Sequence, residues 1–349
     1  MQKKFFYQGL VLILGGLAII TLLVVKYDPF QQFGFNKYGR GDQRLLNPGI
    51  AKNYDYKIAV IGTSTSENIL KKDLENLFDE KAVNLSLAGS SSYEQRKLLE
   101  IILKAKKANT IIYGLDAFSY NREINESRVP LQKFIYTDSK LEKIKYFYNF
   151  ETLKNVLKAI VIGGNSEWIN QNGYWGDKFD YSEKNALCFN PEVQYGAQNI
   201  GAIDGFKKGY SFEKMKNNFD EFYKLIELSP KIEYKIYFPP YASIWWYFAE
   251  KYNCMDDILK FKGYVINKLK DKKNIQIYDF QSVNEIVDDL NNYKDIVHYN
   301  PIISKQIITL IKKNEVVSKK KFDLDYEVQK KKKSIKLIEK KYQLKNLDI

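Results

Sequence analysis

Five short, β-branched runs alternate with stretches of helical spacing along this chain, and that order restricts the folds open to it. Residues 56–61 end at Gly62, residues 82–87 at Ala88-Gly89, and residues 110–113 at Gly114-Leu115-Asp116. Two more runs, 234–238 and 275–278, follow a long and less regular middle. Between them, 67–78 carries Ile69, Leu70, Leu74 and Leu77 at helical spacing. Leu98, Leu99, Ile102 and Leu103 form one helix face behind a Ser92–Gln95 capping box. Residues 212–228, 242–269 and 301–311 read as further helices, the last with Pro301 in its first turn. This alternation predicts a parallel sheet of about five strands, covered by helices on both faces.

Ligands of such sheets sit at the carboxyl ends of the strands. The turns after the first three strands hold Ser64, Gly89 and Asp116, and the loop before the last helix holds His298, the chain's one histidine. All four are therefore expected on one rim. Ser64 stands where a strand gives way to a helix, so backbone N–H groups there can face an anion or a developing oxyanion. Gly89 allows a second N–H to come close. His298 is placed to take the Ser64 proton, and Asp295, three residues upstream, to hold the imidazole in one tautomer. Plainer readings stand beside these: Ser64 as a helix cap and His298 as a packed or exposed side chain.

A different constraint comes from the start of the chain. The segment from Phe5 to Val25 carries no charge, and at ~1.5 Å per residue it makes a helix of about 31 Å, enough to cross a bilayer. Lys3 and Lys4 precede it, which favours a cytoplasmic amino terminus and an exported remainder. No small-residue cleavage site closes the run, so residues 1–26 read as an uncleaved anchor. Residues 27–55 read as a linker, 56–312 as the α/β domain, and 313–349 as a Lys-rich tail. Residues 163–210, crowded with Gly, Asn and aromatics including Trp168 and Trp175, read as an insertion or lid. The net charge of +13 owes much to the tail, which is either a solvated face or a site of attraction for anionic polymer or lipid. No basic arm with interleaved aromatics is present, which argues against nucleic acid. Cys188 and Cys254 could pair or be two small buried hydrophobes. No metal-ligand cluster, Walker loop or Gly-x-Gly-x-x-Gly occurs, and no cofactor is expected.

Gly62-Thr63-Ser64, Gly89, Gly114-Leu115-Asp116 and Asp295-x-x-His298 resemble blocks I, II, III and V of the SGNH/GDSL hydrolases, over about residues 56–310. The membrane-anchored branch is the most similar, with its polysaccharide O-acetylation and teichoic acid D-alanylation proteins. The resemblance implies a flavodoxin-like three-layer α/β/α sandwich, Ser64 as nucleophile, His298 as base, Asp295 as its orienting partner, and the Ser64 and Gly89 N–H groups as oxyanion donors. It also implies a membrane-bound O-acyltransferase as a partner. Two positions depart from the pattern. Thr63 replaces the Asp of the family name, and Asp116 replaces an oxyanion-binding Asn. A carboxylate there would repel the oxyanion, so Asp116 is neutral, turned away, or used on a substrate hydroxyl.

These residues lead us to expect serine-dependent acyl transfer to or from a cell-surface glycan or wall polymer outside the cytoplasm. Water in place of the glycan would make the same site an esterase or deacetylase. Two other roles remain open: a flavin phosphate site in the hydroxyl-rich loop 62–66, and a non-catalytic component of a polysaccharide assembly. The cluster Phe238-Pro239-Pro240-Tyr241 with Trp245 and Trp246 is either a sugar-stacking platform or core.

Overall fold

The computed structural model describes residues 2–34, 38–39, 41–137, 139–163, 173–316, 318 and 322–344. Trp168 and residues 319–321 and 345–349 of the Lys-rich end lie outside the described residues. The chain opens with α1 (Gln2–Tyr27) and α2 (Gln43–Asn53). The sheet then begins: β1 (Ile58–Ile61), α3 (Lys71–Phe78), β2 (Ala82–Asn84), α4 (Ser92–Ala105) and β3 (Thr110–Gly114). A long excursion follows through α5 (Ala117–Tyr120), α6 (Lys133–Tyr136), α7 (Lys140–Tyr148), α8 (Phe150–Ile162), α9 (Glu183–Ala186) and α10 (Gln194–Lys207). The sheet is completed by α11 (Phe212–Glu227), β4 (Glu233–Phe238), α12 (Ser243–Lys251), α13 (Met255–Leu269) and β5 (Ile275–Asp279). Last come α14 (Asn284–Val287), α15 (Pro301–Lys312) and α16 (Leu324–Tyr342).

The five strands form one parallel sheet in the order β2-β1-β3-β4-β5. This is the flavodoxin-like order, and the direction of winding reverses between β1 and β3. Every residue of β1 is buried, and β3 and β4 expose only part of their first residue, as helices on both faces require. One group of helices, α4, α11 and α13, packs side by side, while α3 packs on α15. These are the two outer layers of an α/β/α sandwich. α1 is, among the described residues, the one helix long and apolar enough to cross a membrane.

Several boundaries differ from the sequence reading, each for a physical reason. The helix expected over 67–78 is a 3-10 turn, Ser64–Ser66, and then α3, because Ile69 turns into the core before Lys71. The capping box is Ser91 with Glu94, one residue earlier than expected. The helix expected over 242–269 divides into α12 and α13 at Asn253, whose left-handed φ of 56° ends the first. Cys188 and Cys254 are free thiols, and Cys254 is buried as a small hydrophobe.

Two segments read as connecting or solvated chain belong to the packed body. α2, inside the expected linker, is buried from Gln43 to Ala51 and packs on α4. α16, inside the expected tail, lies against α12 and α13 and sends Ile335 and Ile338 into the main core. A second, smaller cluster joins α1 to the excursion helices: Val24, Phe30, Leu45, Phe134, Ile135, Tyr146 and Val156.

Candidate active site

Ser64 opens the 3-10 turn directly after β1. Gly62 has no room for a side chain, since a Cβ there would meet Ser66 Oγ at 2.2 Å. That hydroxyl bonds the Tyr237 hydroxyl of β4 at 2.7 Å. Asn84 of β2 donates from Nδ2 to the carbonyls of Ser66 and Ile69, at 2.8 and 2.9 Å. The turn is thus fastened to strands on either side, and Ser64 is left half-buried.

His298 comes from a loop pinched shut by the Tyr293–Tyr299 bridge, with Lys294 N–H donating to the His298 carbonyl at 3.1 Å. Asn300 caps α15 with its side chain, and Pro301 supplies the first turn, so the loop ends abruptly beside the sheet. These elements bring together residues 234 apart in sequence: Ser64 Oγ lies 2.7 Å from His298 Nε2. The other ring nitrogen, Nδ1, lies 2.8 and 2.9 Å from the two Asp295 carboxylate oxygens. Asp295 Oδ1 also accepts the N–H groups of Val297 and His298, at 2.9 and 2.8 Å.

The electrostatics suit this arrangement. Burial opposes charge on Asp295, but the imidazole, its hydrogen bonds and Lys294 outweigh it and hold the carboxyl at about 2. Asp295 is therefore an anion throughout the neutral range, able to orient the ring and stabilise an imidazolium. Lys294 lies 3.6 Å from Asp295 and sits over the Trp175 and Phe179 rings.

Ser64, Gly89, Trp175, Trp245, Asp295 and His298 line one pocket of about 580 Å³. Gly89 has a φ of +54°, a conformation that puts a residue with a Cβ under strain. The N–H groups of Ser64 and Gly89 find no acceptor among the described residues. Trp175, from the expected lid, donates from Nε1 to the Ser64 carbonyl at 3.3 Å and stands edge-on to His298. Trp245 belongs to the pocket wall, whereas Trp246 is buried core, its ring beneath the Lys331 ammonium.

Asp116 does not reach this pocket. Its carboxylate is fully buried beneath the turn that opens at Ser64 and accepts the hydroxyls of Thr63, Thr65 and Tyr241 at 2.6, 2.9 and 2.6 Å. Burial raises its pKa, and the three hydroxyl donors work in the opposite direction. Asp116, expected at the oxyanion or substrate, instead ties the residues on either side of Ser64 to Tyr241 and is not among the residues that line the pocket.

Besides Lys294, four contributors escaped the sequence reading. Glu67 lies on the pocket wall, its pKa raised by burial. Gln43 donates from Nε2 to Glu67 at 2.7 Å and accepts the Ala88 N–H at 2.9 Å, so one amide links the wall to the turn before Gly89. Arg44 Nη2 donates to the Ala88 carbonyl at 3.0 Å while its Nε pairs with buried Glu94. Arg128 lies against Gly89, where its Nη1 would be 1.9 Å from an added Cβ. Nothing local marks Gln43, Arg44 or Arg128, whereas Glu67 could have been suspected from its place one helical turn after Ser64. Among the described residues no three His, Cys, Asp or Glu side chains gather as metal ligands. The sequence matches no protein-family model and no curated protein.

Proposed function

We propose that this chain is a membrane-anchored serine acyltransferase of SGNH/GDSL type, acting outside the cytoplasm on a cell-surface glycan. The observation that carries this reading is the unbroken line Ser64 Oγ–His298–Asp295, with contacts of 2.7 and 2.8 Å. Ser64 Oγ attacks the acyl carbonyl carbon while its proton passes to His298 Nε2. The charge that develops on the carbonyl oxygen is met by the Ser64 and Gly89 N–H groups. Collapse of the tetrahedral intermediate expels the donor's alcohol, which takes the proton from His298 and leaves an ester on Ser64. A glycan hydroxyl then attacks that ester, giving its proton to His298, and the proton returns to Ser64 as the acyl group leaves.

The flavodoxin-like strand order and the placement of Ser64 and Gly89 at one pocket support the family resemblance. Lys3 and Lys4 before α1 support the exported orientation. Arg122, Arg128 and Lys294 on the pocket wall suit a polar or anionic acceptor. A donor held in the membrane by an O-acyltransferase partner suits a chain that carries its own anchor.

The test is covalent labelling of the full chain in detergent with a fluorophosphonate, followed by location of the adduct by peptide mass. The expected result is modification of Ser64 that disappears in His298→Ala. Asp295→Asn should slow labelling by about 10³–10⁴-fold, the usual cost of the wrong tautomer. A folded protein whose Ser64 stays unmodified refutes the proposal.

A further inference from the structure

The large exposed apolar side chains of this molecule are not evenly spread. Outside α1, Leu228, Ile302 and the α16 residues Tyr326 and Leu337 are exposed singly, as scattered surface hydrophobes normally are. By contrast, Leu141, Ile144, Phe150, Leu157, Val161 and Ile162 lie together on α7 and α8, with Phe150 80% and Val161 82% exposed. Each helix is also packed on its other side. Tyr146 of α7 and Thr152, Asn155, Val156 and Ala159 of α8 are buried. The hairpin is thus a folded element with a second, uncovered apolar face.

Its position is set by α1. Both helices contact α1, and the shared cluster draws Ile20, Leu23, Val24 and Tyr27 from the anchor and Tyr146, Phe147, Leu153 and Val156 from the hairpin. Tyr148 bonds Thr21 hydroxyl to hydroxyl at 2.7 Å. Tyr146 donates to the buried Asp28 carboxylate at 2.7 Å, and Asp28 also accepts the N–H groups of Gln32, Phe33 and Gly34. The hairpin is therefore locked to the point where the chain leaves α1. Residues 20–27 of a helix span about 10 Å, so whatever packs against Ile20 and Leu23 sits below the end of the apolar segment, not above it.

We propose that the α7–α8 hairpin is embedded in the same bilayer leaflet that α1 enters, its exposed apolar face covered by lipid. The occupant follows from continuity: the face adjoins a helix whose large apolar side chains from Phe5 to Ile19 are exposed and need a hydrocarbon partner. α7 and α8 also carry Lys140, Lys145, Lys154 and Lys158, the last two at helical spacing among Phe150, Leu157 and Val161, and such long basic side chains can reach headgroup phosphates while their stems stay in the apolar layer. Tyr148 and Tyr27 occupy the level at which aromatic residues concentrate between lipid and water. The molecule would then be gripped by a spanning helix and a shallow hairpin together, which limits its rotation about α1. This inference rests on α1 crossing the membrane and is independent of the acyl-transfer reading.

The test uses the full chain in phosphatidylcholine–phosphatidylglycerol nanodiscs. Single cysteines replace Leu157 and Val161 in a Cys188→Ser background and carry a nitroxide. Leu12→Cys serves as the deep reference and Ile302→Cys as the aqueous one. Collision rates with oxygen and with a water-soluble nickel chelate are measured by electron paramagnetic resonance. The expected result is oxygen-dominated collisions at 157 and 161, between the two references. Nickel access at 161 equal to that at 302 overturns the proposal, and so does protection from both reagents, which would mean a second copy covers the face. Nickel access at Leu12→Cys as well would place the failure in α1 itself.

Discussion

A fully buried carboxylate such as Asp116 is costly unless its lone pairs are met. Three hydroxyl donors meet them here, two from the residues flanking Ser64 and one from Tyr241. Asp116→Ala would leave those hydroxyls facing a void, at about 1–3 kcal/mol for the unsatisfied groups. We expect a thermal midpoint lower by roughly 5 °C and slower Ser64 labelling. Asp116→Asn keeps an acceptor, and hydroxyls can accept as well as donate, so it should retain both fold and labelling. An Asn variant that labels markedly faster would place the side chain at the oxyanion after all. Gln43→Ala frees the Ala88 N–H and strands Glu67 at the same time. It should slow labelling about tenfold, or about 1.4 kcal/mol, without moving the adduct from Ser64. At Gly89 the penalty for Ala comes chiefly from φ, about 1–2 kcal/mol, because the Arg128 group it would strike is the movable end of a long side chain.

Among the elements, the legible ones were those whose local pattern and tertiary role agree. β1, β3 and β4 are buried on both faces and read as apolar runs bounded by Gly or Pro, while α4 carries its face and its capping box within one stretch. α2 and α16 were misread because composition and role diverge. α2 buries Gln43, Arg44 and Asn47, polar residues that meet distant partners such as Glu67, Glu94 and the Ser86 carbonyl. α16 looks like a solvated Lys run, yet Lys331 is buried, donates to the Gln281 carbonyl at 2.6 Å and lies over Trp246. Burial, the nearby Lys262 and Lys330 lower its pKa while Asp279 and Glu327 raise it, leaving it at about 7. An unfolded lysine titrates near ~10.4. Between those values the unfolded chain holds the extra proton, so this group makes folding more favourable as pH rises from 7 toward 10. Below about 7 the cost of burying the ammonium is felt in full, on the order of 4 kcal/mol. Lys331→Met should therefore raise the thermal midpoint at pH 7 and flatten its rise between pH 7 and 9. Parallel curves for the two proteins would refute this account.

At the scale of the whole molecule, two apolar clusters divide the labour. The larger surrounds the sheet and holds the rim on which Ser64, Gly89 and His298 meet; the smaller joins α1, α7 and α8. The rim was legible because a parallel sheet sends its turns to one edge, so Ser64 and His298 needed only the right phase in the alternation. The walls were not, since Trp175 and Gln43 come from segments with no periodic signal and are placed by contacts far along the chain. Leu45 belongs to the smaller cluster, and its neighbours Gln43 and Arg44 bond Ala88, the residue before Gly89. α2 therefore joins the smaller cluster to the turn before Gly89. Removing residues 1–26 takes Ile20, Leu23 and Val24 from the smaller cluster and nothing from the larger. A chain beginning at Tyr27 should keep Ser64 labelling in mild detergent, at a rate between those of the full chain and Gln43→Ala. Limited proteolysis should cut it first within α7 and α8, whose packing against α1 is gone. Loss of labelling from a truncated chain that resists proteolysis elsewhere would mean that the anchor shapes the pocket directly, by a path other than α2.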